Sequence, residues 1–147
     1  MTVPDPGISF RCGGPADVVD VLEFWKRAAE DAHRPADTSS TIESLVRRDA
    51  EALIVALIGD EIVGTVIAGF DGWRCHIYRL AVAPGHRQKG IGAELVRRAE
   101  LRFEVLGGTR SDAMVLDDNH LAHHGWRAWG YSRQLEWRRW VKPLASR

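Results

Sequence analysis

Residues 80–96 read L-A-V-A-P-G-H-R-Q-K-G-I-G-A-E-L-V, a β-type run passing through a glycine-containing loop directly into an amphipathic helical pattern. In such a joint, successive loop N–H groups and the unpaired N–H groups of the helix's first turn converge on one concavity of partial positive charge. The geometry favours a phosphate. Gly90 and Gly92 would clear side chains from the approach, and Arg87 and Lys89 would add charge-assisted contacts. His86 would touch the same ligand or face water. The glycines would serve equally in a connector that only lets strand and helix pack closely, and both readings stand at this point. Two nucleotide loops are excluded. No G-x-x-x-x-G-K-[ST] occurs, and counting on from Gly90 and Gly92 puts Leu95 where the third glycine of G-x-G-x-x-G belongs.

Working outward, the helix runs from Lys89 or Gly90 to Leu106, with Ile91, Leu95, Ala99 and Phe103 every four positions and Gly107 and Gly108 as its stop. Upstream, apolar runs at 52–58 and 62–70 flank a turn at Gly59, Asp60 and Glu61, and Asp71-Gly72 leads into a third strand over 73–82, so three strands form a meander. Before them come a short strand at 8–12, a helix opened by Pro15 with Val18, Val19, Leu22, Trp25 and Ala29 at helical spacing, and a short helix capped by Ser40 or Thr41. Downstream lie a short strand at 112–116, a helix over 120–129 capped by Asn119 and ended by Gly130, and two strands at 131–137 and 138–141 with no clear hairpin turn between them. The order is βααβββαβαββ, an α/β fold with a mixed sheet and a single domain over residues 1–147.

The composition agrees. A chain of 147 residues buries roughly two-thirds of the surface its unfolded form exposes. With 45% hydrophobic and 27% charged residues it is too apolar for intrinsic disorder, which is expected only in the first few residues and at 145–147. Twenty Lys plus Arg balance twenty Asp plus Glu, so no global field holds a long nucleic acid, and any polyanionic partner is small. Cys12 and Cys75 lack framework or metal-ligand spacing and read as reduced thiols of a cytoplasmic protein, a single disulfide staying open. No leader and no run approaching the roughly 20 apolar residues of a membrane span is expected.

Arg87-Gln88-Lys89-Gly90-Ile91-Gly92 matches R/Q-x-x-G-x-G/A, and Leu80-Ala81-Val82 precedes it. In these residues, in its element order and in Asn119-x-x-Ala122 followed by Trp129-Gly130-Tyr131, the chain resembles the GCN5-related N-acetyltransferase (GNAT) superfamily from Ile8 to Val141. The resemblance implies the GNAT-like acyl-CoA N-acyltransferase fold and acetyl-CoA as donor, with its pyrophosphate on the amides of Arg87, Gln88, Lys89, Gly90, Ile91 and Gly92. It implies that backbone near Leu80 to Val82 pairs with pantetheine and that the Val82 N–H polarises the thioester carbonyl. Asn119, Ala122 and Trp126 lie at spacings of three and seven, so one helix face would present an amide, a gap and an aromatic edge to the thioester arm. An N-cap followed by a core face is the other reading.

Trp126 departs from the family, where the seventh position after the asparagine often holds a tyrosine that protonates the departing thiolate. Indole cannot. A thiol of pKa ~8.5 disfavours its thiolate by only about 2 kcal/mol near neutrality, whereas deprotonating an alkylammonium of pKa ~10.4 costs about 4–5 kcal/mol. Taking the amine proton is the heavier task. His76 is the candidate base, because His76, Tyr78, Leu80 and Val82 alternate onto one face of a strand ending at the presumed reaction centre. Serotonin N-acetyltransferases are similar in placing histidines two and four residues before the matching leucine; here Tyr78 and His76 stand there. A packed, hydrogen-bonded strand histidine is the alternative. Tyr78 or Tyr131 would supply the proton to sulfur, or act as plain sheet aromatics.

His120 and His124 share a helix face beside Asp117, Asp118 and His123, but no H-E-x-x-H follows and acetyl transfer needs no metal, so none is assigned. The acceptor, a small amine or a peptide, would sit against the first two helices and their loop, with Trp25, Trp73 and Asp71 lining it and Glu23, Asp31 or Asp71 attracting an ammonium. Trp137 and Trp140 on the late strands suit a homodimer contact or a return to the core. A non-catalytic acyl-CoA-binding module and a protein N-acetyltransferase are the competing functions.

Overall fold

Continuous apolar runs and turn residues make the centre of the molecule a sheet. A computed structural model describes residues 7–29 and 31–145; the disorder expected in the first few residues and at Ser146 and Arg147 lies outside the described residues. Its elements, in chain order, are β1 (Ile8–Cys12), α1 (Val18–Ala28), α2 (Ser39–Arg48), β2 (Leu53–Ile58), β3 (Glu61–Phe70), β4 (Cys75–Val82), α3 (Ile91–Val105), β5 (Ser111–Ala113) and α4 (His120–Ala128). The sheet order is β1-β2-β3-β4-β5, antiparallel throughout except that β5 runs parallel to the start of β4. Two compact units result, Met1–Met114 carrying the sheet with α1 to α3, and Val115–Arg147 carrying α4.

Adjacent residues of β3 show how the first unit is layered. A Cβ at Gly64 would press on Ile91 and Leu95 of α3, while the Thr65 hydroxyl accepts from Trp25 Nε1 of α1 at 2.9 Å. Successive strand residues point to opposite faces, so α1 and α3 cover opposite faces of one sheet. On α1 the buried stripe is Val18, Val21, Phe24 and Trp25, and Val19 faces solvent. On α3 Ile91, Leu95, Ala99 and Phe103 are buried at the expected spacing. Arg102 clasps Asp49 at 2.6 and 2.7 Å and donates to the Ala68 carbonyl, tying the end of α2 to α3 and β3.

Most element ends shift by a residue or two, β5 stops at Ala113 rather than at Leu116, and three further differences matter more. Pro15 opens a 3-10 turn, and α1 follows from Val18. Thr38, rather than Ser40 or Thr41, caps α2, its hydroxyl accepting from Thr41 N while Thr41 Oγ1 accepts from Thr38 N. The two last strands do not form: residues 131–145 contain no strand, and Trp137 and Trp140 are 71% and 95% exposed rather than in a core. Consecutive Arg138 and Arg139 place charge on both sides of any strand there, and without a two-residue turn nothing sets a register between the runs. Among the described residues no helix is long and apolar enough to cross a membrane.

Candidate active site

The loop after β4 turns sharply into a helix start that no side chain caps. Pro84–His86 make a 3-10 turn, Gln88 stands at φ 63°, and Gly90, the N-cap of α3, stands at φ 80° with no side chain capping the helix. Two left-handed residues turn the chain at the entry to α3, whose first-turn amides have no side-chain cap, and the left-handed region is why position 90 suits glycine. Glu94 in that turn is held by Arg97 and Arg98 at 2.5–3.0 Å, and its carboxyl lies below the usual range, chiefly through the hydrogen bonds from Arg97.

Beside the loop, β4 has an open edge. β5 pairs with it only from Cys75 opposite Ser111 to Ile77 opposite Ala113, and beyond Ile77 no strand lies alongside among the described residues. Ala83 N donates to Val63 O at 2.9 Å, so by alternation the N–H and C=O of Val82 turn to the open edge. The Val82 carbonyl accepts from Arg87 Nε at 3.3 Å, which folds that guanidinium back against the strand.

A bulge in β4 redistributes the expected site residues. Thr65 stands opposite Ala81 and Ile67 opposite Tyr78, so Val66 alone faces Arg79 and Leu80, and Arg79 takes φ 50°. His76 and Tyr78 pair with Gly69 and Ile67 on the α1 face, whereas Val82 pairs with Gly64 on the α3 face. His76 and Tyr78 therefore do not share a face with Val82, because the extra residue reverses the alternation assumed for an unbroken strand. Their rings lie 6.0 Å apart. His76 Nδ1 is 2.7 Å from Oδ1 of Asp112, its neighbour on β5.

Under the α1–α2 connection lies a cleft of about 310 Å³ whose lining includes Leu22, Trp25, Lys26, Asp31, Pro35 and Asp37. Behind it, the buried Arg79 guanidinium donates to Asp31 at 2.9 Å and to Asp37, and sits 5.3 Å from the Trp25 ring centre. Thr65 Oγ1 donates to the Arg79 carbonyl at 2.9 Å while accepting from Trp25, so one buried chain of hydrogen bonds joins α1, β3 and the bulge. Of the carboxylates considered for an ammonium, Asp31 is engaged by Arg79 and Glu23 by Lys26 at 3.1 Å. Asp71 accepts from the N–H groups of Arg74 and Trp73, which hold its carboxyl below the usual range. Trp25 lines the cleft; Trp73 is exposed under a stacked Arg74.

In the second unit, Asn119 Oδ1 accepts from Ala122 N at 3.1 Å and caps α4, and the buried Trp126 packs edge-on against Trp129 and Tyr131. Here the cap-and-core reading describes the contacts. His123 Nε2 lies 2.7 Å from the Leu116 carbonyl, and among the described residues no cluster suited to a metal occurs.

A model of the acetyltransferase (GNAT) family matches residues 18–131, a span that includes the loop after β4, the bulge and α4. The chain belongs to the GNAT family. Over 104 residues it is 34% identical to the acetyltransferase SG1711 of Sodalis glossinidius, covering 70% of this chain and 72% of that one. The fold resembles that of the aminoglycoside acetyltransferase meta-AAC0020 from an uncultured soil metagenomic sample, with TM-score 0.79, 16% identity, and 96% and 99% of the two chains covered. It also resembles yncA from Salmonella typhimurium, solved with its cofactor acetyl-CoA, with TM-score 0.71, 16% identity, and 86% and 80% covered.

GNAT proteins use acetyl-CoA, and the residues of this chain fit it: the uncapped, left-handed entry to α3 suits a diphosphate, and the open edge of β4 offers main-chain groups to an extended amide arm. Two contacts of β4 involve residues outside the motif. Asp112 reads in the sequence only as a strand residue, and no local pattern ties it to His76 thirty-six positions earlier. Arg79 carried a signal, since a guanidinium inside an apolar strand requires buried partners.

Proposed function

We propose that this GNAT protein is an acetyl-CoA-dependent N-acetyltransferase that acetylates a primary amine by direct attack, in a small molecule or a peptide. The observation that carries the reading is the cradle at 87–92 lying next in the chain to the outward-turned Val82 N–H. Acetyl-CoA supplies an acetyl group activated as a thioester. The amides of Arg87, Gln88, Lys89, Gly90, Ile91 and Gly92 hold its diphosphate, Leu80 and Val82 pair with its arm, and the Val82 N–H donates to the acetyl oxygen. His76 is the candidate base and Tyr78 or Tyr131 the candidate donor to sulfur; with Gly64 opposite Val82 and Gly69 opposite His76, that base stands roughly 17 Å along the sheet from the Val82 N–H and would take the amine proton only through intervening water.

Direct attack fits the thiols. Cys75 is buried, and burial pushes its thiol pKa up, away from a nucleophilic thiolate. Calorimetry with acetyl-CoA and CoA, followed by an amine and peptide panel scored by thiol release, tests the proposal. Expected are binding of both carriers, intersecting initial-rate lines and no acetylated enzyme; an isolated acetyl-cysteine on the pathway overturns direct attack. Trp126 motivates a second reading, a non-catalytic acyl-CoA-binding module, because a buried indole packed on Trp129 and Tyr131 offers sulfur no hydroxyl proton. Carrier binding without thiol release for any acceptor favours it.

A further inference from the structure

Two stretches of the chain leave clustered apolar side chains in water. Along the last segment Leu135, Trp137, Trp140, Val141 and Leu144 are all exposed, and residues 131–145 have neither helix nor strand to hold them. With two indoles of roughly 150–250 Å² each, the segment offers on the order of 600 Å² of apolar surface, the upper end of what a soluble monomer shows in one patch. The second stretch is the outer face at the end of α3. Leu101, Glu104 and Val105 stand at i, i+3 and i+4, all exposed and Val105 86% so, opposite the stripe of Ile91, Leu95, Ala99 and Phe103 that is buried.

Charge separates the same two surfaces. Residues 131–147 carry five Lys plus Arg and one Glu, which leaves fifteen against nineteen in the rest of a chain that balances twenty against twenty. Arg138 donates to the carbonyls of Leu135 and Trp137 at 2.7 and 2.9 Å. Among the described residues no ion pair forms at Arg139, Lys142 or Glu104. An anionic membrane or a nucleic acid would attract this basic tail but repel the net negative charge of residues 1–130. A second copy of the chain turns that same charge into attraction.

We propose that residues 131–145 of one protomer dock on the outer face of α3 in a second copy, and the reverse, as a two-fold dimer. Trp137 and Trp140 cover Leu101 and Val105, and the basic side chains turn towards Glu104. Two tails, each covered by a partner helix, bury more than about 1,200 Å², the size of a standard stable interface, and Trp and Arg are the residues that most often carry such contacts. Glu104 stands fourteen residues beyond Gly90, about 20 Å along the helix axis, so the contact is remote from the loop at 87–92 and does not depend on what that loop binds.

Sedimentation equilibrium on the full chain tests the dimer. The wild type is expected at twice the mass of one chain, with a Kd of about 10 µM or tighter. Trp137→Ser with Trp140→Ser should raise that Kd at least about 100-fold, and Val105→Lys at least about 10-fold. Glu104→Arg, which enters the dimer twice, should raise it about 5- to 30-fold, and adding Arg139→Glu should recover most of the loss. Every substituted position is exposed, so each variant should keep the wild-type circular dichroism. A wild type that is monomeric at about 100 µM overturns the proposal. So does a dimer indifferent to Val105→Lys and Glu104→Arg, which puts the tail on another surface. A monomer that binds phosphatidylserine vesicles or single-stranded RNA through Trp137 and Trp140 gives the tail a different partner and overturns it as well.

Discussion

Arg79 stands inside β4 with its side chain 3% exposed, bridging Asp31 and Asp37, which are 62% and 26% exposed. Its backbone makes the bulge and its guanidinium holds the α1–α2 connection over the cleft, so one residue couples the strand's geometry to that cleft. Removing one partner of a fully buried ion pair costs about 3–5 kcal/mol, but carboxylates this exposed rehydrate, and Arg79→Met should lose about 1–2 kcal/mol in urea unfolding. The acceptor KM should rise more than the acetyl-CoA KM; an equal rise in both would deny Arg79 a role on the acceptor side. Cys75 makes a second case. Its sulfur is buried where a Cβ at Gly108 would overlap it, and burial raises its thiol pKa, whereas Cys12 is exposed. A thiol reagent at pH 8 should label one cysteine quickly and the second only in denaturant, and rapid labelling of both would contradict this packing.

At the scale of elements, the joint from β4 to α3 carries the cofactor argument, and Gly90 is its test. At φ 80° a side chain costs about 1–2 kcal/mol, so Gly90→Ala should lower stability by that amount or flatten the turn and misdirect the first amides of α3. Acetyl-CoA affinity by calorimetry should fall at least tenfold, and unchanged affinity would remove the cradle from the binding site. The joint was legible because a β-run, a glycine pair and a four-residue apolar period follow one another in the sequence, each pointing to one local structure. The meander was legible for the same reason, with turns at Gly59 and Gly72 both at positive φ. The parity of β4 was not, since a bulge inserts one residue without a composition signal and so moved Val82 off the face of His76. The pair of His76 with Asp112 depends on the β4–β5 register, a long-range fact absent from either segment alone. Aromatic content at 131–141 suggested strands, but strand propensity acts only where a neighbouring ladder exists.

For the whole molecule, charge balance turns individual ion pairs into a pH dependence. Twenty carboxylates against twenty Lys plus Arg give no net charge at pH 7, so acid leaves an uncompensated positive chain that repels itself. Two half-buried carboxyls add specific terms. Asp17 is held below its usual range mainly by Arg11 at 2.8 Å, with the Gly14 N–H assisting, and Glu94 mainly by Arg97. A depressed folded-state pKa means that the ionised form favours the fold. That contribution is complete above the unfolded values of ~3.9 for Asp and ~4.3 for Glu, and is lost as pH falls through the folded ones. Urea midpoints should therefore stay level from pH 7 to about 5 and fall steeply below about 4. In the double variant Asp17→Asn with Glu94→Gln, stability at pH 7 should be lower by about 1–2 kcal/mol, a modest figure because the arginines are partly solvated. The gap from wild type should narrow as pH drops and close near pH 2, where the wild-type carboxyls are protonated as well. A gap that stays constant across this range would mean that the two side chains act through packing, and that the acid limb belongs to net charge alone.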